Sequence, residues 1–199
     1  LVTNLSAHFK WGRAGSLVSP LDVFAEYQLN QAWTWELQAL TRARFVAGKE
    51  TTGEKFRHIR KKALARARQL TQLRVDLSEM RGRMAREQIV SEPADLGPKH
   101  QPGGLVDIEF VVQYGVLATA ATHPAVLEAT ATLEQLHALS GIGWLTSDDA
   151  DILEQTARSL HQQRMLDNLT AGVHHRHTDS SAAAAVFERL LGSVSGQQA

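Results

Sequence analysis

The chain contains no cysteine. That excludes disulfides, thiolate metal sites and a cysteine nucleophile, and it fits a reducing, cytoplasmic setting. It carries no excess of charge: acidic and basic residues number 21 each, so bulk electrostatics points to neither a nucleic-acid nor a membrane partner. No N-terminal signal pattern is visible. Uninterrupted hydrophobic runs are also lacking. The most apolar stretch, 105–121, is broken by Asp107, Glu109 and Gln113 and reads as a buried helix, not a membrane span. Among catalytic signatures, GxxxxGK, GxGxxG, GxSxG and HExxH are all missing.

What is present is helical periodicity. The 199 residues suit one domain, or a domain with a small appendage, with a real core. Residues 1–18 show no clear period and read as loop or residual strand. Ser19 followed by Pro20 suits a helix start. From there to Ala47 the sequence predicts one long helix or two broken near Asn30, with Gly48 as a stop. Thr51 to Gln88 predicts a second helical stretch. In it Leu70, Leu73, Leu77, Met80 and Met84 step by three and four, the seam of helix-on-helix packing. SEPADLGPKHQPGG holds three prolines and three glycines in fourteen residues and predicts a loop. Further helices are expected from Gly104 to about Ala121, from Pro124 to Gly141, after a Thr146 cap with Asp149 three residues on, and from Asp179 or Ser180 to Gly192. The fold class is all-α: a helical bundle with a short irregular or strand-like N-terminal segment and a frayed tail after Gly192.

Several features carry candidate chemistry. The Gly103–Gly104 turn opens a helix and could offer N–H groups to a phosphate; the plainer reading is a tight turn between closely packed segments. Asp107 falls in the first helical turn, where a carboxylate meets free N–H groups and the positive end of the dipole. Glu109 lies about 200° around the helix from it, among apolar residues, and there a carboxylate needs a partner. Arg42 and Arg44 of QALTRARF are the partners to expect, since they too interrupt an apolar helix. Between Arg57 and Arg86 stand ten Lys or Arg and two acids. This stretch could touch a polyanion, and is more simply a solvated face that docks on an acidic protein. His174, His175 and His177 could bind a metal but lack clear further ligands, so a polar loop is the simpler reading.

KHQPGGLVDIEFVVQY resembles the PGG-x-x-DIEF-x-x-Q signature of the glutamine synthetase adenylyltransferase family, bifunctional adenylyl-transferring and adenylyl-removing enzymes. AWTWELQALTRAR is similar to the family's AWTWE-x-QAL-x-RAR segment, and QLRVDLSEMRGRM to the stretch between. The order matches, likeness runs from about Gly12 to Leu169, and AWTWE points to the adenylyl-transferring half. The resemblance implies a palm domain holding Mg²⁺ on aspartates, and attack by a tyrosine hydroxyl of glutamine synthetase on the α-phosphate of ATP. It also implies regulation through glutamine and the PII signalling protein. The palm's G-S and D-x-D elements are not in this chain. Its last carboxylate belongs to a strand like E-V-D-x-R-L-R-P, and by spacing Leu5 stands in that place, while residues 1–11 do not fit the family at all. The expectation is a helical domain over residues 12–192 that follows the palm, lacks the metal-binding carboxylates and is inactive by itself. No cofactor is expected to bind it tightly. Lys99, Gly103, Gly104, Asp107, Glu109, Arg42 and Arg44 match family motif positions and are the candidates to face nucleotide or substrate, with Lys99 or an arginine near phosphates. The alternative is a stand-alone all-α interaction module whose basic helix binds an acidic protein or a polyanion.

Overall fold

The structure, a computed structural model, describes residues 19–91, 97–169 and 178–192. The flanking segments 1–18 and 193–199, and the His174–His177 cluster with them, lie outside the described residues. Within these, the fold is all-α and holds no strand. The helices are α1 (Leu21–Asn30), α2 (Thr34–Thr41), α3 (Glu50–Leu64), α4 (Leu70–Ser91), α5 (Gly97–His100), α6 (Leu105–Thr119), α7 (Thr132–Gly141), α8 (Ser147–Leu169) and α9 (Ser181–Leu191). No helix among the described residues is long and apolar enough to cross a membrane.

The apolar run that opens at Leu105 becomes the hub. α6 packs against α2, α4, α5, α7, α8 and α9. A helix apolar on nearly every side needs cover on nearly every side, and α6 has it: Ile108, Val111, Val112, Val116 and Leu117 are each 1% exposed or less. Each such side chain contributes about 1.5–3 kcal/mol of burial. Gly115 lets the next layer close in, because a Cβ there would meet the Trp144 ring at 2.6 Å and Leu139 at 2.7 Å. The seam of α4 turns Leu73 and Leu77 into the same core, with Met80 and Met84 at its edge; Leu70, at the head of the helix, stays exposed.

Two predicted long helices are shorter than their sequence patterns suggest, and in both cases an arginine takes the terminal carbonyls. The first stretch breaks after Asn30 and ends at Thr41, not Ala47. Arg60 donates to the carbonyls of Leu40 (3.0 Å) and Thr41 (2.6 Å) there, and to Leu127 (2.5 Å). The second stretch divides into α3 and α4. Arg68 donates to Ala63 O (2.9 Å) and Leu64 O (2.7 Å), closing α3 before Leu70 starts the next helix. A cation at a helix C-terminus satisfies orphan carbonyls and opposes the dipole. Elsewhere, Pro124 opens a 3-10 turn over Pro124–Leu127, and α7 begins only at Thr132. The predicted proline-glycine loop carries the short α5.

Thr146 accepts the Asp149 N–H (3.1 Å) and donates its hydroxyl to the Asp149 carboxylate (2.7 Å), so the expected cap of α8 forms. Arg189 of α9 binds the other oxygen of Asp149 at 2.5 Å. Burial opposes ionisation of this carboxyl, but the bonds from Arg189 and Thr146 outweigh it and hold Asp149 below the ordinary carboxylate value. A carboxyl depressed in the folded state contributes stability above its unfolded value, about 3.9, and loses that contribution as pH falls through the folded value. Asp149→Asn should therefore be less stable than the parent at pH 7, by about 1 kcal/mol given the exposure of Arg189. The gap should close below about pH 4. Urea unfolding at pH 7, 5 and 3 measures this, and a gap that stays constant contradicts it.

Candidate functional site

The two stretches that carry the family-like motifs, α2 and α6, lie against each other along a polar seam. Gln38 Nε2 donates to Gln113 Oε1 at 2.9 Å in the buried part. One turn on, Arg42 Nη1 meets Glu109 Oε1 at 2.6 Å at the seam's open end. Gln38 to Arg42 runs toward the C-terminus of α2, and Gln113 to Glu109 toward the N-terminus of α6, so the helices are antiparallel. The side chains of Arg42 and Glu109 keep 44% and 31% of their exposure. Glu109 thus has the arginine partner that its apolar neighbours call for, and the partner is Arg42. Arg44 points elsewhere: it is exposed and lines a separate cleft with Phe45, Arg57 and Lys61. The start of α2 is fixed by Glu36, 1% exposed, which accepts from the Tyr27 hydroxyl (2.7 Å) and from Trp33 N–H (2.8 Å). Burial, then the bond to Glu36, pushes the Tyr27 hydroxyl up to about 12.

Below the N-terminus of α6 sits a second, fully buried pair. Arg81 Nε donates to Asp107 Oδ1 at 2.5 Å, with side chains 4% and 6% exposed. The other oxygen, Oδ2, accepts the Gly103 N–H at 2.7 Å. Arg81 also reaches the His100 carbonyl at 3.4 Å. Burial pushes the Asp107 carboxyl up from its ordinary value, against the downward pull of Arg81 and the Gly103 N–H.

The Gly103–Gly104 turn is packed, not open. Gly103 has φ +70°, and a Cβ there would fall 2.1 Å from the Ser180 carbonyl oxygen and 2.6 Å from Ala184 N, at the start of α9. Ser180 in turn donates to Pro102 O (2.6 Å) and accepts from Gln101 Nε2 (2.8 Å). Asp179 supplies the capping contact instead, accepting the Ser181 N–H at 2.9 Å. Gly104 N–H is bonded to Gln101 O at 2.8 Å. Both glycine amides are therefore held within the fold. The close approach of α9 and the Arg81 pair bury Gly103, Gly104 and Asp107. Lys99, by contrast, is exposed on α5 just before the turn.

The basic stretch is not one solvated face. Arg60 and Arg81 are 7% and 3% exposed, and Arg68 is tied to carbonyls. Burial, with help from Arg66, lowers the Arg68 pKa to about 10. The sequence carries the signal in its spacing: Arg60 stands one turn from Phe56 and Leu64, and Arg81 one turn from Leu77, so both fall on apolar faces. Among the described residues no group of three His, Asp or Glu could hold a metal ion.

Two family models share the chain between them. One described as glutamate-ammonia ligase adenylyltransferase matches residues 11–59, and one described as GlnD PII-uridylyltransferase matches residues 71–170. Both descriptions name nucleotidyl-transferring enzymes. Curated relatives called bifunctional glutamine synthetase adenylyltransferase/adenylyl-removing enzyme are similar over about three quarters of the chain. The one from Pseudomonas syringae pv. tomato is 43% identical over 162 residues, 74% of this chain, and that from Methylococcus capsulatus 44% over 142 residues, 71% of it. The relative from Pseudomonas aeruginosa is 41% identical over 161 residues. The chain belongs to the glutamine synthetase adenylyltransferase family, and it spans 15–16% of the length of these relatives.

Breaking the buried pair strands a charge in the core, which costs about 3–5 kcal/mol. Asp107→Asn and Arg81→Ala should each lower the unfolding free energy by about that amount, whereas Glu109→Gln, at a half-exposed pair, should cost under about 1 kcal/mol. Gly103→Ala should be as severe as Asp107→Asn, because its Cβ meets backbone. Urea midpoints of the four variants check the ranking; equal losses for Asp107→Asn and Glu109→Gln would overturn it.

Proposed function

We propose that this chain is the helical portion of an enzyme that transfers AMP from ATP to a tyrosine of glutamine synthetase, acting in the cytoplasm in the regulation of nitrogen assimilation. It works beside a nucleotidyltransferase palm, with glutamine synthetase and the PII protein as partners of the whole enzyme. The observation that carries this reading is the α2–α6 seam. The two family-like motifs meet there, Gln38 with Gln113 from 75 residues away, and they leave Arg42 and Glu109 fixed against each other yet half exposed. A pair kept at the surface in a defined geometry, and not buried for packing, suits a docking or positioning role. We assign the Arg42–Glu109 edge and Lys99 to the side that meets the palm. Their part is to hold the palm's reacting groups in register, since positioning alone can supply several kcal/mol of a barrier.

Mg²⁺ is part of the family's chemistry, where it would neutralise developing phosphate charge. Among the described residues no group of three His, Asp or Glu would take it. The binding of an acidic protein through a continuous basic helix is the weaker reading, because Arg60, Arg68 and Arg81 are turned inward.

In the enzyme with its palm present, Glu109→Gln and Lys99→Ala should each lower adenylyl transfer to glutamine synthetase by about tenfold. Helical content and urea midpoint should stay near the parent's. Unchanged transfer rates with unchanged stability would refute the docking assignment.

A further inference from the structure

A cleft of about 310 Å³ opens between the segment 43–45, α3 and the turn after Pro124. That is the size of a small-ligand pocket. Arg44, Arg57 and Lys61 line it together with His58 and one carboxylate, Glu128. Arg57 is held, with its guanidinium 6.0 Å from the Phe45 ring centroid and bonded to Glu50. Lys61 is held loosely, 3.7 Å from Glu128, and both are more than half exposed. Arg44 is exposed and makes no ion pair or hydrogen bond among the described residues. Beneath them the buried Arg60 adds a further charge, all of whose bonds run to carbonyl oxygens of Leu40, Thr41 and Leu127 and none to a carboxylate.

Like charges gathered in a concave place, against the apolar walls of Phe56 and Leu127, focus a positive field and draw an anion in. Arg57 and Lys61 are one helical turn apart, with Cβ atoms about 5–6 Å from each other. Arg44 comes from the segment 43–45 and the other two from α3, so an anion with several charged groups along its length can meet cations of both elements. Guanidinium groups suit phosphate oxygens in particular, through paired N–H donors.

We propose that this cleft binds a polyphosphate: the phosphate chain of a nucleoside triphosphate, or an inorganic polyphosphate. The choice of ligand class rests on the nucleotidyl-transfer reading above, but the site is defined by its own geometry and can be tested on this chain alone. A second groove, of about 590 Å³ along α4, also carries arginines, among them Arg83. It serves as the control, since a protein that merely attracts anions would use both.

Calorimetric titrations of the chain with tripolyphosphate and with ATP, at low ionic strength and without metal, test the site. Saturable binding is expected, weakened by added salt as exposed charges are screened. Arg44→Gln and Arg57→Gln should each weaken it by about three- to fivefold. Glu128→Gln should tighten it by removing the competing carboxylate, and Arg83→Gln should leave it unchanged. Circular dichroism confirms that each variant is folded. ATP bound as tightly as tripolyphosphate assigns the cleft to the nucleotide; tripolyphosphate alone assigns it to free polyphosphate. No saturable binding of either, indifference to Arg44→Gln and Arg57→Gln, or equal loss in Arg83→Gln overturns the proposal. Such a failure leaves the docking assignment standing, because that is read from transfer rates in the joined enzyme.

Discussion

A guanidinium and a carboxylate, both out of reach of water, sit under the N-terminus of α6, and the arrangement of the surrounding helices follows from them. Asp107 belongs to α6, Arg81 to α4, and the second carboxylate oxygen holds Gly103 of the turn that α9 packs upon. Two ions taken from water lose several kcal/mol of hydration each, and mutual contact with good hydrogen bonds recovers it only in a narrow geometry. That narrowness sets how α4 meets α6. It also sets the path of the Pro102–Gly104 turn, and through the Ser180 contacts with Pro102 and Gln101 it sets where α9 begins.

Around this anchor the fold uses its cations in two ways. Arg60 and Arg68 are turned inward to end α2 and α3, where unpaired carbonyls would otherwise face a core. Arg42, Arg44, Arg57 and Lys61 are left at the surface, the first in a fixed pair and the others around a cleft. The seam that joins the two family-like motifs takes Arg42, and the cationic cleft takes the next three residues, Ala43, Arg44 and Phe45. A partner domain and a phosphate-bearing ligand could thus be served from one short stretch of chain.

Much of this was legible in the residues. The seam of α4, the nearly all-round apolar character of α6, the Thr146 cap of α8 and the need of Glu109 for an arginine all follow from local spacing. Spacing also put Asp107 in a first turn and Gly103 in a turn, but could not say what would cover them. Periodicity ran through Ala47 and across 65–69 because the apolar steps continue there; the terminating arginines come from 19 residues downstream in one case and from the next turn in the other.

By itself the sequence determined an all-α chain, its helical faces and its family, because these depend on period, capping and motif order, which are local or linear properties. Only the tertiary structure decided which charges are buried. It turned Arg81 and Arg60 inward, chose Arg42 over Arg44 for Glu109, and closed α9 over the glycine turn. Those outcomes depend on which helix faces approach each other. The cost of removing a charge from water then selects, among similar residues in the sequence, the one that has a partner within reach.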